Sequence, residues 1–78
     1  MTGIEVRRLT ESEIDMTKEA IKSFGLNFEG GSFTNGVLHI GVKNWGATFN
    51  EERIAQLLMT LFCVNTIILN GFIHKRHV

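Results

Sequence analysis

The stretch Asn50 to Phe72, NEERIAQLLMTLFCVNTIILNGF, is the densest apolar part of the chain, and any fold must bury it. Ile54, Leu57, Leu58, Leu61 and Phe62 recur at i, i+3, i+4, i+7 and i+8, which places them on one stripe of an α-helix. Ala55, Met59 and Cys63 widen that stripe, while Glu51, Glu52, Arg53, Gln56 and Thr60 supply a wet side. Thr66-Ile67-Ile68-Leu69 follows at once, and its consecutive apolar residues predict the central strand of a sheet, buried on both faces. Asn70-Gly71 then turns the chain back.

The rest of the chain supplies elements to pack around this core. Ile4 and Val6 alternate with Glu5 and Arg7, a period of two that predicts a short first strand with one apolar face. Thr10 and Glu13 match a capping box, flanked by Leu9 and Ile14 as a hydrophobic staple, so a helix begins there. Its inner stripe is Ile14, Thr17, Ile21 and Phe24. It should stop at Phe24, with Gly25 left-handed beyond the cap and Leu26 folding back toward Ile21. Phe28 to Thr34 and Val37 to Val42 flank Asn35-Gly36, the pair suited to a two-residue type I′ hairpin. That register sets Phe33 opposite Leu38 and Ser32 opposite His39, and turns Leu38, Ile40 and Val42 toward the helices. Phe28 then has the wrong parity unless a bulge at Gly30-Gly31 inserts one residue. Asn50 is the expected N-cap of the second helix, with Thr48 and Glu51 as a competing capping box. The last strand, Phe72 to His77, turns polar after Ile73, as an exposed edge strand should.

These readings define an α+β fold: a mainly antiparallel sheet of four or five strands with two helices on one face, in the order β-α-ββ-α-ββ. With 78 residues, no proline and no low-complexity tract, residues 1–78 read as a single compact domain. Such a domain buries only about 60 to 65% of its unfolded surface. Hydrophobic residues make up 44% of it, more than one small core covers, which predicts self-association as a homodimer. Eight basic residues balance eight acidic ones, so no global field draws the chain to nucleic acid or an anionic membrane. The one cysteine, the charged N-terminus and the short apolar runs point to a reduced cytoplasmic setting without membrane insertion.

No catalytic or cofactor constellation survives inspection. His74-x-x-His77 has its side chains on opposite sides of an extended strand, and with His39 distant and Cys63 in a helix no zinc set forms. Ser32 and His39 face each other without an orienting acid and read as a polar cross-strand contact. No glycine-rich phosphate loop runs from a strand into a helix. Arg7, Arg8, Lys75 and Arg76 are the strongest local positive charge, and they merge into one phosphate-binding patch if the first and last strands are neighbours. Trp45, with Lys43 and Asn44 beside it, sits in a loop where an exposed ring anchors a protein interface and a buried one caps the core.

Ile4 to Asp15, IEVRRLTESEID, resembles the opening strand and helix of the GNAT acetyltransferases over 12 residues. The resemblance implies an acyltransferase-like fragment, but that family's acetyl-CoA loop, Q/R-x-x-G-x-G/A, has no counterpart in this chain. By elimination, the leading expectation is a small non-enzymatic domain that binds a protein partner without a cofactor. Accessory inhibitors carried by phages and mobile elements act in this way, by occupying a partner's surface. The competing expectation is a nucleic-acid or phosphate binder using the basic termini.

Overall fold

The computed structural model describes residues 3–43 and 50–77. Seven elements follow one another: β1 (Val6–Arg8), α1 (Glu11–Lys22), β2 (Asn27–Thr34), β3 (Val37–Lys43), α2 (Glu51–Phe62), β4 (Thr66–Leu69) and β5 (Phe72–Lys75). The strands form one sheet in the order β1-β2-β3-β4-β5. Every pairing is antiparallel except β3 with β4, which α2 connects as a parallel crossover. The α+β class and the element order therefore stand as expected from the sequence.

Local signals build α1. Thr10 Oγ1 accepts from the Glu13 amide at 3.2 Å, and Glu13 Oε1 accepts from the Thr10 amide at 2.8 Å, completing the capping box. Arg7 reaches the same carboxylate at 3.0 and 3.2 Å. Hydrogen bonds from Arg7, then from the Thr10 backbone, hold the Glu13 pKa down to about 2. At the other end, Leu26 N–H donates to Ile21 O and Gly25 N–H to Lys22 O, with Gly25 at φ 77°. This is the left-handed cap expected, though the regular helix ends at Lys22, two residues early. Thr17 is fully buried, and its hydroxyl donates to Glu13 O at 2.7 Å.

Both Asn-Gly pairs adopt positive φ at both residues, as type I′ turns require. The first hairpin has the expected register, with Phe33 opposite Leu38 and Ser32 opposite His39. The bulge expected at Gly30-Gly31 lies earlier, between Phe28 and Gly30: Glu29 is the inserted residue, both glycines stay in register with β3, and Phe28 recovers the parity of Val42. Each turn asparagine also reaches beyond its own hairpin. Asn35 exchanges bonds with the Glu5 N–H and C=O, and the Asn70 side-chain amide does the same with Val42 at 2.8 and 3.2 Å.

The core lies between the helices and one sheet face: Leu38, Ile40 and Val42 of β3, Ile67 and Leu69 of β4, Ile54, Ala55, Leu58 and Met59 of α2, and Ile21 of α1. Four expectations change here. β4 is not central and is buried on one face only, because both helices pack on the same side and leave Ile68 half-exposed. Ile4 and Val6 are 76% and 62% exposed, since pairing with β2 gives Arg7, not Val6, the parity of the core-facing Phe33. In α2 the buried arc centres on Ala55 and Met59 and leaves Leu61 at the surface. Cys63 is exposed just past that helix, in a left-handed cap with φ 56°, where Val64 N–H donates to Met59 O.

Candidate protein-docking face

A two-layer fold has a second sheet face, and neither helix crosses this one. Register identifies its residues. Leu38, Ile40, Ile67 and Leu69 point to the core, so Val37, His39, Gly41 and Lys43 of β3 and Thr66 and Ile68 of β4 point away. Their partners extend the face to Val6 and Arg8 of β1, Ser32 and Thr34 of β2, and Ile73 and Lys75 of β5. A sheet of five strands is about 19 Å across from edge strand to edge strand.

This surface combines apolar and cationic side chains. Val6 and Ile73 are 62% and 65% exposed at its two edges, with Val37 and Ile68 between them. Arg8, Lys43 and Lys75 are exposed around the rim, and the Lys75 ammonium donates to Thr66 Oγ1 at 3.2 Å. Glu29, the bulge residue, brings an acidic side chain beside Gly41, its Cβ 3.8 Å from the position a Cβ on Gly41 would take. At the centre, a shallow concavity of about 360 Å³ is lined by Gly30, Ser32, His39, Gly41 and Ile68, where two opposed glycines leave the backbone bare. A second hollow of about 650 Å³ lies where α1 meets β2, rimmed by Asp15, Lys18, Glu19 and Lys22 with no convergent chemistry.

The sheet edges are guarded. β1 is three residues long and presents Arg7 and Arg8, with Arg7 stacked 4.4 Å over the Phe33 ring. At β5, Gln56 of α2 donates to Lys75 O at 2.9 Å and accepts from His77 N–H at 3.0 Å, so its amide satisfies two backbone groups at the end of that edge strand.

The residues singled out in the sequence are dispersed. Arg7 and Arg8 lie on one edge strand and Lys75 and Arg76 at the opposite edge, so the two basic pairs do not merge, and Arg7 is engaged by Glu13. Lys43 ends β3 on the open face, whereas Asn44 and Trp45 lie outside the described residues. Ser32 and His39 oppose one another on the open face without a hydrogen bond between their side chains. His74 departs most from expectation. Its ring is 12% exposed, and the carboxylates of Glu51 and Glu52 meet its two nitrogens at 2.8 and 3.0 Å. The signal was present: a two-residue turn at Asn70-Gly71 pairs Ile67 with His74 and gives the histidine the buried parity. No group of three metal-ligating side chains forms among the described residues, and none of their helices is long and apolar enough to cross a membrane.

No family model, curated protein or solved structure matches this chain.

Proposed function

We propose that this chain is a small non-enzymatic binding domain that docks through the open face of its sheet onto an acidic, partly apolar protein surface. The observation that carries the proposal is the face itself: Val6, Val37, Ile68 and Ile73 share a surface uncovered by either helix, with Arg8, Lys43 and Lys75 around it. Exposed apolar area drives association, and the cationic rim selects a partner of opposite sign and speeds encounter. Six of the eight carboxylates lie instead in α1 and α2 (Glu11, Glu13, Asp15, Glu19, Glu51 and Glu52), against three of the eight basic residues (Lys18, Lys22 and Arg53), so a net charge of zero conceals an excess of negative charge on the helices. Occupying another protein's surface is the mode of action of an accessory inhibitor, and a cytoplasmic partner accords with the single unpaired cysteine.

Two other occupants fit less well. Two copies meeting face to face through a two-fold axis bring the same cationic patch against itself, which costs affinity. Single-stranded nucleic acid uses aromatic rings as stacking platforms, but Phe28, Phe33 and Phe72 have the parity of the opposite face. The test is site-specific photo-crosslinking in the source cell, with a photoreactive residue at Val37 or Ile73 and a control at Ser12 on α1. The expected result is a discrete protein adduct from both sheet positions that weakens with Arg8→Glu and Lys75→Glu. Adducts from Ser12 alone, adducts only with a second copy, or adducts to nucleic acid would each overturn the reading.

A further inference from the structure

Helix α2 opens with Glu51 and Glu52, and His74 of β5 rises from the sheet directly beneath them. Glu51 Oε1 lies 2.8 Å from His74 Nε2, and Glu52 Oε2 lies 3.0 Å from Nδ1. An ionised carboxylate only accepts hydrogen bonds, so satisfying both contacts requires a proton on each ring nitrogen. A neutral ring would instead turn a lone pair toward a carboxylate oxygen at one of them. The remaining neighbours reinforce this arrangement. Glu52 also accepts from Gln56 at 2.9 Å and meets His77 Nε2 at 3.0 Å, Ile67 of β4 pairs with His74 and brings no charge, and Lys75 points to the opposite face. Neither Arg53 nor Arg76 forms an ion pair with the two carboxylates among the described residues. Both carboxylates lie in the first turn of α2, at the positive end of its dipole.

We propose that His74 is a proton-operated latch: as an imidazolium it clamps β5 to the start of α2, and on losing a proton it lets that edge strand loosen. β5 contributes Ile73 and Lys75 to the open face, so the latch adds a pH-dependent hold on that side to the fixed ones, the pairing with β4 and the Gln56 bonds to Lys75 O and His77 N–H. This bearing on docking rests on the function proposed above; the latch itself does not. Burial of the ring, the largest influence, lowers its pKa, but the bonds to Glu51 and Glu52 outweigh it and raise the value above the ordinary one. A group whose folded pKa is raised contributes stability that is complete below its unfolded value of about 6.5 and is lost as pH rises through the folded value. The latch is therefore closed in mild acid and opens toward alkaline pH.

The experiment follows backbone amide exchange and the His74 ring resonances by NMR between pH 6 and pH 9, with exchange corrected for its intrinsic pH dependence. The expected result is a several-fold loss of protection at His74 and Arg76 that tracks the ring titration, with β2 and β3 unchanged. In Glu51→Gln, which leaves the backbone capping of α2 to Asn50, the His74 ring should titrate at lower pH and the loss of protection should move with it. Constant β5 protection through the ring titration, or an equal loss across the whole sheet, would overturn the latch. Photo-crosslinking from Ile73 at pH 6.5 and pH 8.5 then tests the link to docking. Adducts that fall with the latch support it, while adducts insensitive to pH refute that link and leave the docking face standing.

Discussion

A Cβ built on Gly31 lies 2.7 Å from Ile40 Cδ1, 2.9 Å from His39 O and 3.1 Å from Leu9 Cδ1, whereas one built on the adjacent Gly30 meets nothing within 4 Å. The two glycines have opposite parity. Gly31 faces the core, where Leu9 closes over it, and Gly30 faces the open concavity opposite Gly41. Neither backbone is left-handed, so packing alone separates them. Gly31→Ala should destabilise the fold by about 1 to 3 kcal/mol, because the backbone carbonyl of His39 cannot yield as a side chain would. Gly30→Ala should leave stability unchanged or raise it by about 0.4 to 1 kcal/mol through loss of unfolded-state entropy. Urea denaturation of both variants checks this, and equal losses in the two would show that the bulge, not packing, requires glycine there.

The elements that the sequence made legible are those specified by neighbouring residues. Thr10, Glu13, Gly25 and Leu26 define both ends of α1 within one helical turn, and Asn35-Gly36 fixes a register that extends to the bulge at Glu29. Misreadings arose where the answer depended on distant packing. An unbroken run such as Ile67-Ile68-Leu69 has no phase to show whether one or two layers cover it, so the position of β4 and its single buried face could not be read locally. Cys63 carries no glycine signature for its left-handed cap. Most of the candidate site was hidden for the same reason: the outward residues became a surface only once five strands were ordered and both helices placed on one side. Asn70 shows how element-level pairing is held. Its positive φ builds the β4–β5 turn, while its side-chain amide extends the β3–β4 pairing to Val42. Asn70→Gly keeps the turn geometry but removes the amide, and it should cost about 1 to 3 kcal/mol by leaving the part-buried Val42 N–H and C=O without partners. Amide exchange should quicken at Val42 while the β1–β2 pairing stays protected. An unchanged Val42 amide would show that the asparagine serves the turn alone.

For the molecule as a whole, the two faces of one sheet should respond to substitution in opposite ways. Leu69 is fully buried against the helices, whereas Ile73, on the adjoining strand with the opposite parity, is 65% exposed on the docking face. Leu69→Ala should cost about 2 to 5 kcal/mol from lost burial and the cavity left behind, a large share of what a domain of this size has to lose. Ile73→Thr and Val6→Thr keep a β-branched side chain suited to a strand and remove apolar surface that no helix covers. Each should change stability by no more than about 0.5 kcal/mol while reducing docking in the crosslinking assay. Urea midpoints measured at several protein concentrations decide the matter. Threonine variants that lose stability only at high concentration would show that a second copy already covers the face, because association stabilises the folded state by mass action. Core-sized losses at every concentration would show that the face is packed within the chain itself, and the docking proposal would fail with it.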